Sequence, residues 1–378
     1  MSAFIRQLGK KISRSVWNNY GIENYDEFRY GKFPEQNRNP RNFLGRMGLE
    51  KGNLKLKAKK ILRYGNKAKT EMVLSKLDAY AERLQLFFEL IPENDRELLV
   101  EIIAYRLLGF EKVKLSRNDA EYQAALTSAK KLSQENLQYD PGFLHFKLKK
   151  FDLSSIGYDL SLYFSEAGIA IDFILEQYAC KTGNSVLVSA KEGDVVFDLG
   201  GCWGDTALYF ASKVKEKGRV YSFEFIPGNI KLFNINIGFN PSMQKLIKLI
   251  PSPVGAVNNE VVYYRDFGPG SQVKTYPFAR QTGSTSTVTI DRVVSDQHIQ
   301  TVDFIKMDIE GAELPALKGG ERTLRKFKPD LAIAIYHSLD DIVNIPLWLE
   351  SLKLGYKFHL RHFTIHAEET ILFATTKI

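Results

Sequence analysis

The segment Val195-Val196-Phe197-Asp198-Leu199-Gly200-Gly201-Cys202-Trp203-Gly204-Asp205-Thr206 constrains this chain more than any other. An apolar, partly β-branched run leads into an acid and then into closely spaced glycines. Behind them Thr206-Ala207-Leu208-Tyr209-Phe210-Ala211 carries apolar residues at helical spacing. The pattern predicts a buried parallel strand, a tight turn and a helix start. In an open α/β sheet, that junction receives a nucleotide-like ligand. Glycine allows positive φ there and lets a ligand reach the backbone with no Cβ in the way.

The spacing narrows the ligand. A dinucleotide fingerprint needs G-x-G-x-x-G, whereas this turn reads D-x-G-x-x-x-G from Asp198 to Gly204. A second strand, Val220-Tyr221-Ser222-Phe223-Glu224, ends in a carboxylate 20 residues after Gly204. Such a carboxylate can accept both hydroxyls of a ribose, each charge-assisted bond contributing roughly 1.5–3 kcal/mol. No Lys or Arg follows the glycines in a Walker arrangement, so a triphosphate is not expected. The pocket reads as acidic and lysine-free, which suits an adenosine bearing a cationic sulfonium.

Four motifs carry a resemblance: Phe197–Gly201, Phe223–Asn229, Thr289-Ile290-Asp291, and the long run DFIKMDIEGAELPALKGG from Asp303 to Gly320. Through them residues 195–378 resemble the FkbM family of S-adenosylmethionine-dependent methyltransferases, in the class I Rossmann-like group. The resemblance implies an α/β fold: a doubly wound, mainly parallel seven-stranded sheet of order 3-2-1-4-5-7-6, its last strand antiparallel. It implies S-adenosylmethionine as cofactor and a hydroxyl of a sugar, polysaccharide or small molecule as acceptor. Asp198, Gly200, Gly201, Cys202, Trp203, Gly204 and Thr206 are then expected around the methionine end. Glu224 is expected at the ribose with Phe225 and Asn229 beside it. Pro253 and Val254, within Ser252 to Ala256, are expected to flank the adenine. Cys202 stands where this class usually has a further glycine.

At 378 residues the chain exceeds one average domain. It is expected to divide into a basic, loop-rich arm (1–70), a helical accessory region (71–142) and, as the resemblance implies, a methyltransferase domain (143–378). The two cysteines, Cys180 and Cys202, cannot form a disulfide framework, which fits a reduced, cytoplasmic setting. No apolar run approaches the roughly 20 residues that span a bilayer. Residues 1–70 hold 17 Lys/Arg against 5 Asp/Glu, so the basic character of the chain lies in the arm.

Phe4, Ile5, Leu8, Ile12 and Val16 form one stripe of a basic amphipathic helix. Such a helix can lie on an anionic membrane or pack on its own protein, and packing is the expectation here. Residues 18–70 read as a solvated arm, with Phe33 to Pro40 a loop, and no nucleic-acid partner is expected of it. Met72, Leu77, Tyr80, Leu84 and Phe87 predict a helix, with further helices at Arg96–Leu108 and Ala120–Leu132. Leu144, Phe146 and Leu148 alternate with His145, Lys147 and Lys149 as a half-exposed strand does. Ile171–Tyr178 predicts a helix that closes over the cofactor. Residues 258–290 predict an inserted hairpin and loop. Strands are predicted at Leu246–Ile250, Phe304–Met307 and Leu331–Tyr336, and two more between Tyr356 and Thr376.

Ligands of doubly wound sheets lie beyond the carboxyl ends of the strands. Those ends carry Asp198, Glu224, Asp308 with Glu310, and His337. A hydroxyl acceptor must lose its proton, and Asp308, Glu310 and His337 are the candidates to take it, His337 through its near-neutral titration. A divalent metal held by Asp308, Glu310 and one of Asp340-Asp341 is the less favoured arrangement. His359, His362 and His366 are read as ordinary histidines rather than a metal cluster. Two other classes are set beside this one: a nucleic-acid methyltransferase using the basic arm, and a non-catalytic cofactor-binding protein.

Overall fold

The computed structural model describes residues 2–26, 66–144, 146–183 and 185–377. The chain divides into two compact units. One comprises Met1–Glu89, Arg96–Asn118 and Ile365–Ala367, the other Leu90–Asp95, Asp119–Thr364 and Glu368–Ile378.

Seven strands of the second unit form one sheet: β1 Val195–Leu199, β2 Arg219–Phe223, β3 Ile247–Ile250, β4 Phe304–Met307, β5 Asp330–Ala334, β6 Lys357–His362 and β7 Thr370–Thr375. Their order is 3-2-1-4-5-7-6. β1 to β5 pair in parallel, and β7 runs antiparallel to both β5 and β6. The central strands are near-continuous apolar runs buried on both faces, as parallel strands covered by helices must be. At the sheet edge, Asp95 accepts from Leu360 N–H at 3.0 Å and from Arg361 Nη1 at 2.7 Å. These bonds occupy a strand that would otherwise offer free donors.

Helix Asp205–Val214 leaves the glycine turn and helix Pro227–Gly238 follows β2, with Pro227 in its first turn. The insertion is a three-stranded antiparallel sheet in which Val261–Arg265 pairs with both Gln272–Lys274 and Gly283–Ser286. The strand predicted from Leu144 begins only at Leu148 and ends at Asp152. It pairs with a strand absent from the prediction, Ser133–Tyr139, after a turn at Gly142 (φ +85). The predicted helix over Ile171–Tyr178 is a short turn at Glu166–Gly168 running into a π-helical turn, Ile169–Ile174. Glu176, at φ +53, ends it, and a hairpin of Cys180–Thr182 with Ser185–Val188 intervenes before β1.

In the first unit, Ser2 caps helix Ala3–Ser15, and Phe4, Leu8 and Ile12 have no exposed surface. Phe4 meets the Phe88 ring at 5.8 Å, so the amphipathic stripe packs on the protein's own core. The single helix predicted from Met72 to Phe87 is two, 66–75 and Ala81–Leu90, parted by turns over 76–80. Met72 is exposed on the first of them. Helix Glu93–Leu108 stops at Gly109, φ +82. Residues 27–65 of the predicted arm, the loop from Phe33 to Pro40 included, lie outside the described residues. Among the described residues no helix is long and apolar enough to cross a membrane.

Candidate active site

At the end of β1 the chain turns through Gly200, φ +86. A Cβ there would lie 2.0 Å from the Asp308 carbonyl oxygen, and one on Gly201 would lie 2.0 Å from Ser222 Oγ. The two glycines therefore let the tips of β4 and β2 close on the tip of β1. Cys202 adopts φ +38, doing with a Cβ what a glycine does more cheaply, at roughly 1–2 kcal/mol.

Asp198 is fully buried. Its carboxylate accepts from Thr206 Oγ1 at 2.9 and 3.0 Å and from Ser222 Oγ at 2.7 Å. Lys306 Nζ lies 3.1 Å from it and donates to the Gly200 carbonyl at 2.6 Å. The pocket is thus not lysine-free: a β4 lysine, 1% exposed, stands under the turn. Burial lowers the Lys306 ammonium, but Asp198, Asp308 and Asp205 outweigh it and hold the group above its ordinary value. Asp205, at the helix start, is pushed by burial up to about 6. Asp172, on the π-helical turn, is raised well above its ordinary value by burial and by the charge of Asp205.

Glu224 follows β2. Oε1 accepts from Phe225 N–H at 2.6 Å and Ile226 N–H at 2.7 Å, and Oε2 from Asn229 Nδ2 at 3.0 Å. Asn229 in turn accepts from Trp203 Nε1 at 3.2 Å, tying the glycine turn to the acid. Burial pushes Glu224 up to about 7 in spite of these donors. The insertion adjoins this side: Asp266 takes Gly228 N–H at 2.9 Å and Tyr264 meets the Phe225 ring at 5.6 Å. Pro253 and Val254, past β3, are buried and joined through their backbone to Val288.

The acids of β4 and the imidazole of β5 gather beyond the turn. Asp308 accepts from Tyr336 Oη at 3.1 Å and from Tyr178 Oη at 3.5 Å. His337 Nε2 lies 3.4 Å from Asp308 and 3.6 Å from Glu310, and its Nδ1 lies 3.3 Å from Glu313. Exposure grades outward, from 0% for the Glu313 side chain through 11% for His337 to 48% for Glu310. Burial alone would lower His337, but Glu313, Asp308 and Glu310 reverse it and raise the ring to about 9. This corrects the expectation of a near-neutral base: at pH 7 the ring is an imidazolium. Glu310 is the group near neutrality, pushed up to about 7 by removal from water and by Asp308. Glu369, before β7, is pushed up to about 8 by burial and Asp308, and accepts from Gln177.

Residues 188–358 match the family model of the methyltransferase FkbM domain. The likeness to FkbM methyltransferases lies in those residues. Among solved structures, a methyltransferase FkbM from Methylobacillus flagellatus KT is 18% identical, with a TM-score of 0.48 over 79% of this chain and 60% of that one. The chain therefore spans less than two thirds of that protein. Aeropyrum pernix fibrillarin, in complex with natively bound S-adenosyl-L-methionine, is 17% identical, with a TM-score of 0.32 over 49% of this chain and 67% of that one. A SAM-dependent methyltransferase from Aquifex aeolicus is 16% identical, with a TM-score of 0.30 over 50% and 84%. No curated protein gives a significant sequence match.

Within the matched region the sequence candidates gather at two places. Asp198 with Thr206, and Glu224 with Asn229 and Trp203, form two polar clusters on the side of the glycine turn. Asp308, Glu310 and His337 mark the other place. Asp340 and Asp341 sit in the first turn of helix Leu339–Ser351, and Asp341 takes Ser338 Oγ at 2.6 Å. The three histidines near β6 part company: His362 meets Thr370, His366 meets Asp26, and His359 lies 3.7 Å from Asp95. Glu313 was legible as the third acid of D-I-E-G-A-E; Glu369 gives no local signal, since a turn between strands delivers it. Asp308, Glu313 and His337 each present one atom within 4.8 Å of the others. With a carboxylate opposite both ring nitrogens, the set is balanced as an imidazolium among acids.

Proposed function

We propose that this domain transfers a methyl group from S-adenosylmethionine to a hydroxyl of a sugar, a polysaccharide or a small molecule. When bound, S-adenosylmethionine supplies an electrophilic methyl on a sulfonium. The pocket suits such a group: the glycine turn stands at the carboxyl end of β1, where a doubly wound sheet takes its ligand, Glu224 Oε2 keeps acceptor capacity for ribose hydroxyls, and acids outnumber Lys306 around the turn. Alignment of acceptor oxygen and methyl can supply about 7–11 kcal/mol.

The observation that carries the hydroxyl reading is Glu310. A hydroxyl must lose its proton as its oxygen forms the new bond, and a base titrating near the working pH serves best. Glu310 titrates at about 7, reaches solvent, and sits on the loop that touches Gly200. His337, already protonated, does not take the proton; it neutralises the acids around it and fixes their positions. Glu310→Gln should lower kcat by about 10²–10⁴-fold, with S-adenosylmethionine affinity by calorimetry unchanged. Methyl release onto a panel of mono- and oligosaccharides measures the former. Full turnover in Glu310→Gln would remove the general base from this account.

A further inference from the structure

We infer that Glu313 is a positioning residue of this site, acting through His337 on Glu310. The inference rests on the reading of Asp308, Glu310 and His337 as the acceptor-side groups. Glu313 opens helix Glu313–Lys318 and has no exposed surface. Its Oε1 takes the Ile309 N–H at 2.8 Å, closing a loop in which Glu310 and Gly311 adopt φ +57 and +93. Its Oε2 meets no hydrogen-bond donor. A carboxylate buried in that way is costly without a cation, and the one that the structure brings to it is His337, whose Nδ1 lies 3.3 Å from Oε1.

Every group that faces the ring favours its cation. Asp308 and Glu310 face Nε2 from the β4 tip, Glu313 faces Nδ1, and Glu369 acts on the ring from the segment before β7. Tyr336 lies against the ring at 4.3 Å. With Nδ1 facing Glu313 and Nε2 facing Asp308 and Glu310, the imidazolium clips the loop. The ring nitrogens lack hydrogen-bond alignment as they stand, and such contacts commonly tighten only in the substrate complex.

Glu313→Gln keeps an oxygen for Ile309 N–H and removes the charge, so it separates clip from scaffold. Turnover should fall by about 10–100-fold, the worth of one charge-assisted bond, while donor affinity stays within about twofold. Glu313→Asp should recover part of the loss. A double-mutant cycle with His337→Asn, read over pH 6–10, tests the route: the double variant should be no slower than His337→Asn alone. Multiplicative losses would overturn the inference. Proton NMR titration of the His337 ring reads the same coupling without turnover. Its midpoint should drop by about one pH unit or more in Glu313→Gln, and an unchanged midpoint also overturns the inference. If the midpoint drops but neither His337→Asn nor Glu310→Gln alters turnover, the acceptor-side reading fails and the Glu313–His337 coupling stands.

Discussion

In the proposed reaction, Glu310 and His337 divide between them a task that a lone imidazole was expected to perform. The sequence shows a histidine at a strand tip, and its ordinary pKa suggests a base. It does not show that Asp308, Glu310 and Glu313 will surround that ring, because they come from β4 and the following helix. The pH profile should therefore be a bell. Turnover rises as Glu310 loses its proton near pH 7 and falls as His337 loses its own near pH 9. A profile rising through pH 6.5 on a histidine, and abolished by His337→Ala alone, would restore the ring as base. At the other end of the pocket, Glu224→Ala should weaken S-adenosylmethionine binding by about 10-fold or more without unfolding the domain. Unaltered affinity would remove the ribose role. Glu224 was legible because its distance from the glycines and its place after an apolar run are local features.

At the scale of elements, the pattern of apolar runs and glycines sufficed for the seven strands, and the resemblance to the FkbM family supplied their order. Each of these strands is short, apolar and punctuated. Ser133–Tyr139 was not legible, since its residues are polar and largely exposed. The break at 76–80 was hidden by apolar spacing that continues across it. Lys306 was hidden differently: a lysine inside a strand motif reads as outward-facing, and only the pairing of β4 with β1 shows it under Gly200. Lys306→Met should cost about 3–5 kcal/mol of unfolding free energy, because Asp198 is left charged, buried and unpaired. Chemical denaturation measures it, and Asp198→Asn should restore part of the loss in the double variant. No loss in Lys306→Met would mean that hydroxyls alone satisfy Asp198.

Over the whole molecule, protons held by acids with raised pKa values should govern stability. Asp205, Glu224, Glu310 and Glu369 are raised to about 6, 7, 7 and 8. Each binds its proton more tightly folded than unfolded, so its contribution is full below the ordinary carboxyl range and is lost as pH rises through the raised value. His337 acts in the same sense, full below its ordinary 6.5 and lost through about 9. Glu176, lowered to about 2 by Lys181 and Lys213 against its burial, acts oppositely and protects only above the carboxyl range. The unliganded protein should therefore melt highest near pH 5 and lower steadily to pH 9; a melting temperature that rises over this range would contradict the raised pKa values of these groups. The most direct measurement is calorimetric titration of the protein with S-adenosylmethionine, with NAD and ATP as controls. The account predicts saturable one-site binding of S-adenosylmethionine, weakened in Glu224→Ala, and no binding of the controls. No heat with S-adenosylmethionine, or saturable binding of NAD or ATP at the same turn, would contradict it.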